Sequence, residues 1–527
     1  MPPVLPLFVL AAIQLIALLL GYNGHRVIQL VALMLPACLW LWFPLSSAKG
    51  RALQLVLAAL TALIVLADSL ARGFMWHLYQ AEPQSTLVVT ALANTNPSEI
   101  REYLRSQQSQ LVPWVLMLLT ALASIIWALQ AWWRNPPPRP VLGRKGKIAL
   151  TLVLVLIVAA FYSKSTRRHY PLAFWPAFFE KISSVQEEWQ NFGVQRKALL
   201  ERAAGAGLSL SSNAPDAVML VISESVTRDN LGMYGYPRNT TPALPAQLGD
   251  SGLVFRYAWS SAASTVPSLR DFFYMGEPEA QQAQHLLALA KAAGYRIYWI
   301  GNQNDLAIEQ EHAGFADKLV LTNMTTGRSG GLPDAVVLPK VKEALADKAP
   351  RKLMVVHLLG VHPHYRLRYP DGFPEIAGDD AIEQDLEAKG RSIKTRVLRR
   401  EYDSALSYEN SIVAELLAIL QAQPGRNIFL YTSDHGQEVG QTEDHAGHSP
   451  MTESGYRIPL VAWRKEGWSE QQRHVAMSTP VRLDWMGWSL MHLMGIDWSG
   501  LHASQDALNP AYEWMAPELP ITARFDE

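Results

Sequence analysis

Apolar positions follow two patterns along the 527-residue chain. In the first third they form unbroken stretches: Val4 to Leu20, Val27 to Leu45, Ala52 to Leu70, Leu111 to Trp133 and Ile148 to Tyr162. Each has roughly the ~20 residues that a bilayer-crossing helix needs, which predicts a transmembrane domain of five spans. After about Ala217 the apolar runs are short: AVMLVIS (217–223), RIYWIG (296–301), KLMVVHLL (352–359) and NIFLYTS (427–433), separated by helical patterns such as QQAQHLLALAKAAG and SYENSIVAELLAILQAQ. Continuous apolar strands alternating with helices predict an α/β soluble domain with a central, mostly parallel sheet covered on both faces.

The connections carry their own signals. Between the third and fourth spans, 71–110 is too long for a plain connector, and in its NTNPSE stretch Asn96, Pro97 and Glu99 read as a helix start. This reads either as a surface helix or as a lid at the membrane face that helps to hold a lipid. A second connector, 165–215, combines PLAFWPAFF with a charged helical pattern and ends in LSLSSNAPD; it is expected to form an interfacial bridging helix and a linker. The domain reading is therefore 1–164 membrane, 165–215 bridge, 216–527 catalytic.

Charge adds orientation. Lys and Arg number 46 against 47 Asp and Glu, which argues against a nucleic-acid partner. Lys49 and Arg51 follow the second span, and Arg134, Arg139, Arg144, Lys145 and Lys147 lie between the fourth and fifth. The excess of positive charge on cytoplasmic loops then places both loops and the N-terminus in the cytoplasm, and the large C-terminal part on the far side. The single cysteine, Cys38, sits in the second span, so the exported part rests on core packing or metal rather than disulfides.

In an open parallel sheet, function collects beyond the carboxyl ends of the strands. There stand Glu224, Asn302 with Gln303, His357 and His362, and Asp434 with His435. Two carboxylates and an imidazole at adjacent strand ends are the ligands that Zn2+ favours, with one position left open. The hydroxyl-rich loop before residue 269 offers nucleophiles at a helix start, Ser260, Ser261, Ser264, Thr265 and Ser268, and spacing does not choose among them.

VISESVTRDNLGMYGYPRNTTPAL (222–244), HLLGVHPHY (357–365) and YTSDHGQEVG (431–440), with five spans and the NTNPSE loop, resemble the bacterial inner-membrane phosphoethanolamine transferases of the alkaline phosphatase and sulfatase superfamily. The resemblance implies a Zn2+ enzyme, with one ion expected and room for a second, whose metal ligands are Glu224, Thr265, Asp434 and His435. Thr265 is the implied nucleophile, because STVPSL matches the family's threonine followed by a serine three residues on; Ser264 is the fallback. His362 and His445 match positions expected to hold phosphate or a second zinc and to move protons, and Asn302 and Gln303 fall where the family contacts the donor headgroup. By the same reading His357 is a strand residue, and His364 and His448 belong to surface loops. The implied partners are the membrane, phosphatidylethanolamine as donor and a cell-envelope glycan as acceptor. The cysteine-free catalytic part looks more like the members acting on lipopolysaccharide core heptose or periplasmic glucans than those acting on lipid A. Competing readings are a glycerophosphate transferase of the lipoteichoic acid synthase type, a formylglycine sulfatase, disfavoured by Thr265 at the critical place in TVPSLR, and a membrane scaffold with a dead transferase fold.

Overall fold

The computed structural model describes residues 3–22, 26–28, 30–31, 40–79, 82–95, 100–101, 104, 108–141, 143–162, 170–276, 282–303, 306–322 and 333–526. Cys38 and the middle of the second expected span (32–39), together with Asn96, Pro97 and Glu99, lie outside them. Contacts group the chain into two units: Met1–Ala93 with Tyr103–Val185, and Asn94–Glu102 with Gln186–Glu527. The bridge is thus shared between the units.

The first unit contains helices α1 (Leu5–Gly21), α2 (Ala48–Tyr79), α3 (Thr86–Asn94), α4 (Gln108–Arg134) and α5 (Arg144–Tyr162), followed by α6 (Pro171–Gln190). Among the described residues, Ala48–Tyr79 and Leu111–Arg134 are long and apolar enough to cross a membrane, while Leu5–Gly21 is apolar but shorter. Of the five spans expected, two, the third and the fourth, coincide with helices of that length and apolarity among the described residues. The two basic loops meet: Arg139 donates from Nε to the Pro44 carbonyl at 2.8 Å and from Nη2 to Ser46 Oγ at 2.7 Å.

The second unit is built on a seven-stranded sheet. Its strands are β1 (Ala217–Ser223), β2 (Gly252–Val254), β4 (Arg296–Gly301), β5 (Lys318–Leu321), β6 (Lys352–His357), β7 (Asn427–Ser433) and β9 (Leu460–Arg464), in the order β2-β9-β7-β1-β6-β4-β5. The five strands from β7 to β5 are parallel, whereas β9 runs against both β7 and β2, so the sheet is mixed. Alternate residues of each strand enter opposite cores, as a period of two requires. Val218, Leu220, Ile222, Leu353, Val355 and Trp299 face one side, and Met219, Val221, Met354, Val356, Ile300 and Tyr431 the other. The first core also takes in α7 (Phe192–Ala204), α8 (Thr265–Phe273) and α9 (Leu286–Ala292), and the second takes in α11 (Val337–Leu345) and α12 (Ile393–Gln421), while α10 (Leu306–Glu311) lies between α9 and β5 in sequence. Beside this sheet, β3 (Ala258–Trp259) pairs with β8 (Arg457–Ile458) and β10 (Val481–Arg482).

Candidate active site

Register brings the first two acids together. Ser433 at the end of β7 is opposite Ser223 at the end of β1, so the next residues, Asp434 and Glu224, leave the sheet side by side. Both are buried. The turn after Glu224 is strained, with Ser225 in the left-handed region at φ 63°. That conformation aims the Ser225 N–H at Asp434 Oδ1 (3.0 Å) and its hydroxyl at Glu224 Oε1 (3.0 Å). Gly360, at φ +54°, closes over the same turn, and a Cβ there would stand 2.6 Å from the Glu224 nitrogen.

His435 completes the core of the site. Its Nδ1 lies 2.7 Å from the Gly436 carbonyl, which only accepts, so the proton resides on Nδ1 and Nε2 faces the carboxylates, 3.2 Å from Glu224 Oε1 and 3.5 Å from Asp434 Oδ2. Burial works against charge on His435, but the Asp434 and Glu224 carboxylates outweigh it and lift its pKa to about 9. Burial, reinforced by the Glu224 charge, pushes the Asp434 carboxyl up to about 7. Burial also opposes ionisation of Glu224, yet its bond to His435 holds it below the ordinary carboxylate value.

This is an environment that asks for a cation. Asp434 Oδ2 is buried without a hydrogen-bond partner, and Glu224, His435 and His448 each offer one ligand atom, all within 4.8 Å of one another. Two carboxylates and two imidazoles suit Zn2+.

The five hydroxyls of the β3–α8 loop now separate. Ser260 Oγ lies 2.7 Å from the Asp434 carbonyl and 2.8 Å from Ser268 Oγ, and Ser268 donates to the same carbonyl. Ser261 donates to Asp271 Oδ2 at 2.7 Å. Ser264 is the N-cap residue, in extended backbone. Thr265, the first residue of α8, places Oγ1 2.9 Å from Glu224 Oε2 and 3.1 Å from Oε1. It alone of the five has a recorded hydrogen bond to a carboxylate of the cluster. Ser260 and Ser268 instead tie the head of α8 to the backbone of the Asp434 turn.

The remaining predicted residues divide. Gln303 reaches the site, its Nε2 donating to the Leu358 carbonyl at 3.0 Å and to Glu224 Oε2 at 3.3 Å. Asn302 was expected at the headgroup, but it is buried, with Nδ2 bonded to Asp334 Oδ1 (2.9 Å) and Oδ1 taking the Thr322 hydroxyl (2.7 Å). Its amide therefore serves the scaffold. Asp334 also accepts from the Leu359 and Gly360 N–H groups, both at 2.9 Å, and so fixes the turn that leads to His362. Burial, with the charges of Arg368 and His435, lowers the His362 pKa to about 3, leaving a neutral imidazole. His445 is buried, with Nε2 3.3 Å from the His448 carbonyl. His448, expected in a surface loop, instead packs against His435 with ring centroids 4.8 Å apart and planes tilted by 41°; the spacing in HAGH was the only cue to it. His357 is a buried strand residue, edge-on to Trp299 at 5.8 Å, and His364 stands in a left-handed turn at φ 77°.

The sulfatase sequence profile matches residues 216–496, more than half of the chain and the whole of this constellation. The chain belongs to the sulfatase family. Within it, the chain is 29 % identical over 538 residues to phosphoethanolamine transferase EptC of Escherichia coli K12, covering 95 % of this chain and 90 % of that one. It is equally similar, at 29 % over 538 residues, to phosphoethanolamine transferase CptA of Salmonella typhimurium, with the same coverage. The crystal structure of the C-terminal periplasmic domain of Escherichia coli EptC in complex with Zn aligns at 28 % identity and TM-score 0.50, covering 59 % of this chain and 91 % of that one. The integral membrane lipooligosaccharide phosphoethanolamine transferase A of Neisseria meningitidis shares the fold over 94 % of this chain and 98 % of its own, with TM-score 0.59 at 19 % identity.

Proposed function

We propose that this sulfatase-family member is a phosphoethanolamine transferase that moves phosphoethanolamine from phosphatidylethanolamine to a cell-envelope glycan, with lipopolysaccharide core heptose the favoured acceptor. The observation that carries the reading is the Thr265 hydroxyl, held at the head of α8 against Glu224 in a pocket that also presents His435 and His448.

Glu224, Asp434 and His435, joined by His448 or by Thr265 itself, hold a Zn2+ ion, and His362 and His445 line the phosphate side. When bound, the metal lowers the pKa of a coordinated hydroxyl and offsets phosphate charge. Thr265 Oγ1, oriented by its hydrogen bond to Glu224, attacks phosphorus as its proton passes to solvent. The phosphorus–oxygen bond to diacylglycerol breaks, that oxygen takes up a proton, and phosphoethanolamine remains on Thr265. A glycan hydroxyl then attacks the same phosphorus, Thr265 leaves and regains a proton, and a neutral imidazole accepts the hydroxyl's. His362 is unprotonated in the free enzyme because burial and the charges of Arg368 and His435 depress its pKa, and the negative charge of a bound phosphate would raise its basicity towards the range that role needs. Gln303 faces the donor from the β4 side.

The five-span membrane reading fits this chemistry. The basic loops that meet at Arg139 and Ser46 support a shared cytoplasmic face, with the N-terminus cytoplasmic and the catalytic unit periplasmic, in a multi-pass protein of the bacterial inner membrane. A phosphatidylethanolamine headgroup of the outer leaflet would then face the site.

The test is a donor comparison with the full chain and zinc in lipid nanodiscs. Diacylglycerol release that requires phosphatidylethanolamine supports the reading. Release from phosphatidylglycerol alone would replace it with glycerophosphate transfer.

A further inference from the structure

The membrane unit buries an ion pair. Asp68 and Arg72, one turn apart on α2, are 2 % and 4 % exposed, and Arg72 Nε donates to Asp68 Oδ1 at 2.9 Å. Two other elements converge on the same carboxylate. Trp175 of α6 donates from Nε1 to Oδ1 at 2.9 Å, and Tyr22, the residue that ends α1, donates from its hydroxyl to Oδ2 at 2.5 Å. The Arg72 guanidinium carbon lies over two aromatic rings, 3.7 Å from the Phe174 centroid and 4.7 Å from that of Tyr22.

Adhesion alone does not require this arrangement. Buried charges in a membrane-spanning helix are costly, and well-packed apolar side chains of similar volume hold helices together at no such cost. What the polar group adds is direction, since three donors on one carboxylate and a planar fork admit a single seating of α6 on α1 and α2. The helix that is seated needs it. Pro176 lies inside α6, beside Trp175, and removes a backbone hydrogen bond. Phe178 of α6 also packs against Val88 and Val89, an apolar contact that permits sliding. The outward face of α6 carries Leu172 and Phe179, 60 % and 59 % exposed, as an interfacial helix does. After one residue the chain continues into α7, whose Leu199 and Ala203 belong to the core of the catalytic unit.

We infer that Asp68, Arg72, Tyr22 and Trp175 form a polar clasp that sets the seat of α6 on the membrane helices, and that they are positioning residues for use of a donor lipid in the bilayer. The second half rests on the proposed phosphoethanolamine transfer; the first does not. None of the four is placed in the catalytic site.

The experiment uses the full chain with zinc in phosphatidylethanolamine nanodiscs. The variants are Trp175→Phe, which removes one N–H, Arg72→Lys, which removes the fork, and Asp68→Asn. Amide hydrogen exchange over 171–185 is expected to rise at least tenfold in each, with exchange in 217–223 and 427–433 unchanged. KM for bilayer phosphatidylethanolamine is expected to rise at least fivefold, while kcat/KM for a soluble p-nitrophenyl phosphoethanolamine ester stays within twofold. Unchanged exchange over 171–185 in Trp175→Phe and Arg72→Lys would overturn the clasp, and equal losses on both donors would overturn its positioning role. A wild-type protein that uses neither donor would sink the transferase reading and the donor half, while the exchange result still decides the clasp.

Discussion

Thr265 Oγ1 stands 2.9 Å from Glu224 Oε2, joining the first residue of α8 to the first residue beyond β1 across a sequence separation of 41. A hydroxyl so placed is held by its acceptor and exposed to the N-terminal field of a nine-residue helix. Replacing Thr265 by Ala is therefore expected to lower transfer by about 10³-fold or more. Thr265→Ser keeps the hydroxyl and should stay within about tenfold. Turnover with phosphatidylethanolamine vesicles checks both.

His448 separates a metal-bound site from a purely hydrogen-bonded one. If it shares an ion with Glu224 and His435, His448→Ala lowers zinc affinity by at least about tenfold, whereas His364→Ala does not. Chelation of wild-type protein should lower Tm by several degrees, because Asp434 Oδ2 is then buried without a partner. Added zinc should restore Tm, and differential scanning fluorimetry with metal analysis reads both effects.

Much of this site was legible because a parallel strand buried on both faces is a continuous apolar run, and the first polar residue after it marks the carboxyl edge of the sheet. AVMLVIS and NIFLYTS ended at Glu224 and Asp434 as expected, and the strands at 217–223, 296–301 and 427–433 match the structure residue for residue. Strand 352–359 was two residues too long, because Leu358 and Leu359 are buried in the turn that Asp334 holds. The antiparallel edge was not legible: LVAWR and GLV are short, and nothing local marks their direction. His448 lies beside His435 and Asn302 bonds to Asp334, placements that local spacing does not show because a loop residue's direction is set by tertiary partners rather than by its neighbours in sequence.

Asp334 shows what such a partner is worth. It accepts from Asn302 and from two backbone N–H groups of the 359–360 turn. Asp334→Ala removes the acceptor of three buried donors and should destabilise the catalytic unit by about 3 kcal/mol. Zinc affinity should also fall, because Gly360 packs on the Glu224 turn. Chemical denaturation and zinc titration test the two effects separately.

The catalytic unit also carries an acid-sensitive pair away from the site. His285 Nε2 and His312 Nδ1 are 3.1 Å apart, and His285 stacks on Phe315 with 4.1 Å between ring centroids. Burial lowers the His285 pKa to about 3 and, with the His285 and Arg270 charges, that of His312 well below its ordinary value. Both are neutral in the fold and titrate near ~6.5 when unfolded. Below that pH the unfolded chain binds protons that the folded one does not, so stability is present above ~6.5 and is lost as pH falls towards 3. Tm should drop by about 5 °C or more between pH 7.5 and 5, and the double variant His285→Leu/His312→Leu should show a shallower fall.

A covalent phosphoethanolamine on Thr265 is detectable by intact-protein mass spectrometry of the full chain. Wild type and Thr265→Ala are incubated with phosphatidylethanolamine and zinc, without acceptor. A phosphoethanolamine adduct is expected on wild type, mapping to Thr265 and absent from the variant. An adduct that persists in Thr265→Ala, or none on wild type while diacylglycerol is released, would contradict it.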